Sequence, residues 1–337
     1  MKGRSLAPVA IVLVALGALL LGLWGAGYDP AVAIASFARA AAGSPYALFS
    51  QTLLRATPLI LVGLAVAVAF RSGALNIGAE GQFYAGAILA TWAGLHVAAL
   101  PGWAAILAVL GAGTVGGMAW SAVPAWLRSR FGVIEVITTL LLNFVAEALV
   151  SWMVTGPLQE ARRAYPQSDP IAANAHLPLL TGRLHLGFLL ALALAWGLWW
   201  FFARTRPGFE FRVSGAGPRA AETVGKIPVT RRLAQALLVS GAIAGFAGAV
   251  EVSGVSFALF QNLSPGYGFT GIAVALLARL DPRAVIVSGI FFGALEAGAA
   301  GMQRDAGVPS VVVYLVEAVL IVAILVATRR TGEAGRT

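Results

Sequence analysis

The sequence predicts an all-α polytopic membrane protein, and three observations carry that prediction. The 337 residues are 59% hydrophobic and only 11% charged, too little charge to coat a soluble surface, where about a quarter of residues are ordinarily charged. The mean hydropathy is +0.85, and the apolar residues fall in runs of about 20, the length that crosses a hydrocarbon core of about 30 Å. The alternating ten-residue pattern of an outer-membrane barrel is absent.

Taken in order, the runs predict about ten crossings, at 6–26, 50–70, 73–95, 101–123, 132–154, 185–203, 233–255, 267–280, 284–302 and 310–328. The first has an apolar core of roughly 19 residues, longer than the 7–15 of a secretory signal, and reads as an uncleaved helix. With Lys2 and Arg4 inside, 17 of the 23 Lys and Arg fall on that same side, so the positive-inside rule places both termini in the cytoplasm. The chain is read as one transmembrane domain, 1–337. It carries an extracytoplasmic loop at 156–184, rich in proline and set over the outer mouth, and a basic cytoplasmic loop at 204–232 with seven Lys and Arg.

The net charge of +9 and a pI near 10.8 do not indicate nucleic acid, because the basic residues cluster at the ends of apolar runs rather than on one soluble face. There are no cysteines, which removes disulfides and thiolate metal sites. The three histidines, His96, His176 and His185, are far apart and lack helical metal spacing, so they read as interfacial residues at the outer ends. No nucleophile elbow is present. Gly225-Lys226 is followed by Ile227, and Ala220 stands where a phosphate loop needs glycine, so no nucleotide is expected to bind this chain.

Two segments interrupt the apolar pattern. FRSGALNIGAEGQ at 70–82 and SPGYGFTGIAVALLARLD at 264–281 place glycine, proline and polar residues where a continuous span is otherwise expected. Such backbone survives at membrane depth only when buried in protein or lining a watery cavity. Broken segments in corresponding places suggest internal repeats, here 50–155 and 233–328, meeting at a pathway. The ionisable residues at membrane depth are Glu80, Glu135, Glu147, Glu251, Glu296 and Glu317, with Asn76, Gln82, Asn143 and Gln261 as neutral companions. Each is costly in lipid and turns toward a cavity or a partner. Glu135 reads as a structural pair with Arg128 or Arg130, and Glu251, Glu296 and Glu317 as protonated or paired contacts between helices. Asn76, Glu80 and Gln82 are pathway candidates because they lie in the first break. Phe83, Tyr84, Tyr267 and Phe269 flank the breaks and offer ring faces to a solute.

In the loop 204–232, Pro218 fits the first turn of a short helix and Gly225 its end. Residues Gly215, Ala216, Gly217, Ala220, Ala221, Glu222 and Gly225 form a Gly-x-x-x-x-Ala-Ala-x-x-x-Gly pattern. That pattern resembles the coupling loop of ABC importer permeases, although Lys226 stands where that family more often has Ile or a small apolar residue. GALNIGAEGQ at 73–82, LLVSGAIAGFAGAVE at 237–251 and GYGFTGIAVALLAR at 266–279 extend the resemblance to most of the chain from residue 50. They are similar to permeases for simple sugars, nucleosides and branched-chain amino acids, most of all to the nucleoside branch.

The resemblance implies a type II importer-like fold in the bacterial inner membrane, with the chain forming the pathway for a nucleoside or simple sugar. It implies four partners: a separate ATP-binding cassette subunit that binds the ATP, a second permease chain, an extracytoplasmic substrate-binding protein and the lipid bilayer. This chain itself then needs no cofactor and is not an enzyme. The alternative is an ion-gradient-driven secondary transporter using carboxylates such as Glu80, Glu251 and Glu296.

Overall fold

A computed structural model describes residues 17 and 20–309 of the 337. The predicted run 310–328 with Glu317, and most of the run 6–26, lie outside the described residues. The helices are α1 (Pro30–Ala42), α2 (Pro45–Arg71), α3 (Ala79–His96), α4 (Gly102–Phe131), α5 (Glu135–Thr155), α6 (Gly187–Arg204), α7 (Arg206–Ala216), α8 (Pro218–Thr223), α9 (Val229–Ser256), α10 (Tyr267–Leu277) and α11 (Pro282–Ala306). Residues 57–290 form one compact unit, and the described parts of 1–56 and 291–337 form another.

Six of these helices, α2, α4, α5, α6, α9 and α11, are long and apolar enough to cross a membrane. The expected ten crossings are therefore not reached among the described residues. Helix α3 has 18 residues, but Glu80, Gln82 and His96 lower its hydropathy. Helix α10 has only 11 residues, about 16 Å at 1.5 Å per residue, and is half a crossing. The first apolar run after the break likewise begins as a helix at Ala79, not at residue 73, because 72–78 is not helical. Helix α1 falls in a stretch where the apolar runs predict no element. Asp29 caps it, its carboxylate accepting from the amides of Ala31 at 2.8 Å and Val32 at 3.3 Å, and Pro30 occupies the first turn.

In the unit 57–290, close backbone approach builds the core. On α4, Gly113, Gly117 and Ser121 recur every four residues and meet Gly241, Gly245 and Ala249 on α9, while Gly86 of α3 lies against Gly245. A Cβ on Gly245 would stand 2.6 Å from the Gly117 amide nitrogen and 2.7 Å from its Cα. Only small residues allow this, and dispersion between backbones replaces the driving force that lipid cannot supply. Beside this trio, the later part of α2 packs on α10 and the start of α11. Gly63 faces Val274, Gly271 faces Val62, and the Ser288 hydroxyl donates to the Val274 carbonyl at 2.8 Å.

In the other unit, Gly298 of α11 takes the Phe37 ring, Gly301 meets Ala40, and Thr52 donates to the Ala41 carbonyl at 2.6 Å. Leu23, Ala33, Met302 and Val308 fill its core.

The loop 156–184 is ordered by pairing with the end of α9 and the chain that follows it. The Ser168, Ile171 and Leu177 amides each donate at 2.8 Å to the carbonyls of Leu259, Phe257 and Ser253. A short antiparallel pair, β1 (Leu179–Thr181) and β2 (Leu184–His185), closes it. The expectation of interfacial histidines is corrected at His185. It is fully buried, wedged against Gly187 and Gly254, with Nδ1 accepting from the Gly187 amide at 3.1 Å. His176 stacks on Phe257 with ring centres 4.2 Å apart, and only His96 is exposed.

Candidate functional site: two helix breaks and a basic loop

The first break, 72–78, is closed by hydrogen bonds. Asn76 Nδ2 donates to Gln82 Oε1 at 2.8 Å and to Ser240 Oγ at 2.9 Å. Its Oδ1 accepts from the Gly78 amide at 2.9 Å and from Gln82 Nε2 at 3.1 Å, and the Ser240 hydroxyl in turn donates a hydrogen bond to the Ala65 carbonyl at 2.6 Å. Asn143 supports the same turn, accepting from the Gly81 amide at 2.8 Å and donating to the Ile77 carbonyl at 2.9 Å. Asn76, Glu80, Gln82 and Phe83 are all buried. An unpaired polar group there would cost about 1–3 kcal/mol, and the network leaves Asn76 without spare capacity.

Glu80 joins the first turns of the two helices that follow the breaks. Its Oε2 accepts from the Gly268 amide at 2.5 Å, in the first turn of α10, where the helix dipole favours a carboxylate. Gly268 has to be glycine at this contact, because a Cβ would stand 2.6 Å from Glu80 Cα. Tyr84 donates to the Ser264 carbonyl at 3.3 Å, and Phe83 meets the buried Tyr267 ring edge-on with centres 5.7 Å apart. Phe269 instead turns outward and is 47% exposed.

The second break, 257–266, is open. Phe257, Asn262 and Gly266 take left-handed backbone, with φ of 56°, 58° and 99°, and Phe260, Gln261 and Asn262 are exposed. Gln261 Nε2 donates to Ser151 Oγ of α5 at 2.7 Å. A cavity of about 210 Å³ opens here, lined by Tyr84, Glu147, Val150, Ser151, Gln261 and Asn262. A second, of about 650 Å³, lies further along α3 and α5 and includes Trp92, His96, Met153, Leu158 and Asp169. The sequence marks Glu147 and Gln261 as polar at membrane depth but gives no sign that they share a cavity.

At the opposite end of α5, Arg128 and Glu135 form the expected ion pair, and Glu135 also accepts from the Leu75 amide at 3.2 Å. The loop 204–232 is largely helical. Thr205 caps α7, accepting from the Gly208 amide at 3.1 Å, and α8 starts with Pro218 in its first turn, as the sequence predicts. Glu210 anchors this layout between Arg206, at 3.0 Å, and Arg232. Burial pushes its carboxyl up, but the hydrogen bonds and charges of the two arginines outweigh that and hold it below the usual carboxylate range.

Gly215 lies directly on the backbone of the first break. A Cβ there would stand 2.8 Å from the Gly73 amide nitrogen and 2.9 Å from the Ser72 carbonyl carbon. Ala221 is buried in a cluster with Ala69, Ala74, Ala125, Ile227 and Leu237, so it faces this chain's own core and offers no surface. Ala216, Ala220, Glu222 and Gly225 are exposed, and Gly217 is half-buried in extended backbone. The left-handed residue that ends this turn is Lys226, with φ of 49°, and not Gly225. Val224, which the sequence pattern does not single out, is 85% exposed.

A family model described as the branched-chain amino acid transport system / permease component matches residues 48–325. A glucose ABC transporter permease of Haloferax volcanii is 36% identical over 93% of this chain and 85% of its own length. A guanosine ABC transporter permease of Bacillus subtilis is 35% identical over 94% and 91%. A nucleoside ABC transporter permease of Lactococcus lactis is 34% identical over 91% and 86%. Since the family match spans most of the sequence, both breaks and the whole of the basic loop included, the chain belongs to the branched-chain amino acid transport system / permease component family.

Proposed function

We propose that this chain is the permease subunit of an ABC importer and forms the translocation pathway for a nucleoside or simple sugar, with ATP hydrolysed by a separate subunit. The observation that carries the reading is the junction of the basic loop with the first break. An exposed surface of Ala216, Ala220, Glu222 and Val224 is fixed to the membrane-embedded chain through Gly215, whose backbone touches Ser72 and Gly73. A push on that surface by an ATPase is transmitted without slack, because there is no side chain between the two backbones to absorb it. The likeness to glucose, guanosine and nucleoside permeases supports the substrate class.

In this reading the loop 204–232 is cytoplasmic, both termini are cytoplasmic, and the chain is one multi-pass domain of about ten crossings in the inner membrane. The loop 156–184 covers the outer mouth, where a substrate-binding protein delivers the solute. Asn76, Glu80, Gln82, Phe83 and Tyr267 act as the framework of the pathway wall and Phe269 as its exposed ring, beside a second permease chain.

The test is affinity purification of the tagged chain from its native membrane, followed by mass spectrometry. An ATP-binding cassette subunit is expected to accompany it and to be lost from the Val224→Asp, Glu222→Arg double variant. Recovery of the chain alone, driving uptake with a proton gradient, would overturn the reading in favour of secondary transport.

A further inference from the structure

We propose that Glu147, with Ser151, Gln261, Asn262 and Tyr84, forms a solute-binding subsite that recognises the vicinal hydroxyls of a neutral polyhydroxylated solute. The proposal rests on the permease reading and specifies what the pathway selects.

Glu147 lies twelve residues after Glu135, the first residue of α5, which is roughly 18 Å along the axis at 1.5 Å per residue and close to the middle of a ~30 Å core. Phe144, Val145 and Ala146 precede it and Ala148, Leu149 and Val150 follow, so its immediate neighbours in the chain are apolar. Yet the side chain is exposed, and among the described residues no cation pairs with it. A carboxylate turned to hydrocarbon costs at least a few kcal/mol. Its face of α5 therefore borders a polar route.

The neighbours say what kind of route. The second break carries Gln261 and Asn262 to α5, and the Gln261–Ser151 hydrogen bond fixes them beside Glu147 around the 210 Å³ cavity. Asn262 holds its place through a left-handed backbone that asparagine tolerates better than most residues. Gln261 uses one amide proton on Ser151, which leaves its carbonyl to accept and a second proton to donate.

An ionised carboxylate has only acceptor sites and takes two hydroxyl donors side by side. Without a compensating cation it repels carboxylates and phosphates. The subsite thus suits the ribose diol of a nucleoside or the adjacent hydroxyls of a sugar, and opposes nucleotides, sugar phosphates and the carboxylate of an amino acid. Toward the far end of α3, Trp92 is 53% exposed and lines the larger cavity. It follows Tyr84 and Ile88 at four-residue spacing and so lies on their face of the helix, offering a flat apolar surface to a ring on its way in.

The experiment uses the complete importer with its ATPase and binding protein in proteoliposomes, with guanosine and 2′,3′-dideoxyguanosine as paired probes and glucose as a third. Wild type is expected to take up guanosine in preference to the dideoxy compound. Glu147→Ala is expected to lower guanosine uptake by about tenfold or more while dideoxyguanosine uptake changes by less than about twofold, erasing the preference. Glu147→Gln should retain an intermediate preference. Subunit composition is expected to stay unchanged in both variants.

An unaltered preference in Glu147→Ala, or equal loss of both nucleosides, overturns the subsite while leaving the permease reading intact. Loss of a second permease chain from the variant complex also overturns it, making Glu147 an interface residue. Absence of ATP-driven uptake of guanosine and glucose by the wild-type importer overturns the permease reading and the subsite together.

Discussion

The two helix breaks contain similar residue types and are finished in opposite ways. At 72–78 the amides are consumed: Asn76, Gln82, Ser240 and Asn143 satisfy one another and the local backbone, and Asn76 and Ser240 are fully buried. At 257–266 the amides are exposed, and Gln261 and Asn262 border a cavity with the carboxylate of Glu147, which pairs with no cation among the described residues. The difference separates two reasons for a polar residue at membrane depth. A fully satisfied network holds a break rigid and has nothing left for a solute. A partly used one keeps donors and acceptors for something that comes and goes.

That contrast orders the expected effects of substitution. Asn76→Leu should be the most damaging, because it leaves the Gly78 amide, Gln82 and Ser240 without their shared partner in a buried place. A loss on the order of 3 kcal/mol is expected, read as a much lower midpoint in detergent thermal melts. If Asn76→Leu melts like wild type, the first break is not held by this network.

Gly215→Ala should come next, at about 2 kcal/mol, since the added methyl meets backbone atoms of 71–73 that are themselves clamped. The same variant is expected to lower the ratio of solute transported to ATP hydrolysed, measured in proteoliposomes. Gln261→Leu, at the open break, should shift stability by less than about 0.5 kcal/mol and yet reduce guanosine uptake several-fold. A large stability loss there would erase the contrast between the breaks.

The smallest effect concerns pH and the anchor of the basic loop. The carboxyl of Glu210 is held low by Arg206 and Arg232, so its contribution is present above the usual carboxylate pKa. It is lost as pH falls through the lowered folded-state value. Melting between pH 6 and pH 3 should therefore show a decline in the wild type that is smaller in Glu210→Gln. An equal decline in both would remove Glu210 from the account.

Some of this was legible in the chain and some was not, and particular residues show why. The pairing of Arg128 with Glu135 across a tight turn, the helix started by Pro218 and the interruption within 70–82 are all local, and the structure has them, whereas the second break falls at 257–266, ahead of most of the expected 264–281, because 267–277 is helical. Helix α1 also carries local signals, Asp29 followed by Pro30, but a search for membrane-length apolar runs passes over a 13-residue helix. The fate of Asn76 was not legible. Its partner Ser240 is 164 residues away, and no spacing rule connects them. Ala221 fits a docking pattern equally well whether it faces outward or, as here, inward. His185 reads as interfacial because it precedes an apolar run, whereas Gly187 and Gly254 together enclose it.

The chain alone was enough to show that it lives in a membrane, roughly where six long apolar segments lie, that polar stretches interrupt the pattern, and which loop is basic. These follow from composition and short-range periodicity, which act through hydrocarbon thickness and backbone conformation alone. Which polar residues are spent and which are spare depends on the assembled fold. Hydrogen-bond satisfaction depends on what distant helices bring within 3 Å, and the glycine contacts of α3, α4 and α9 set those distances.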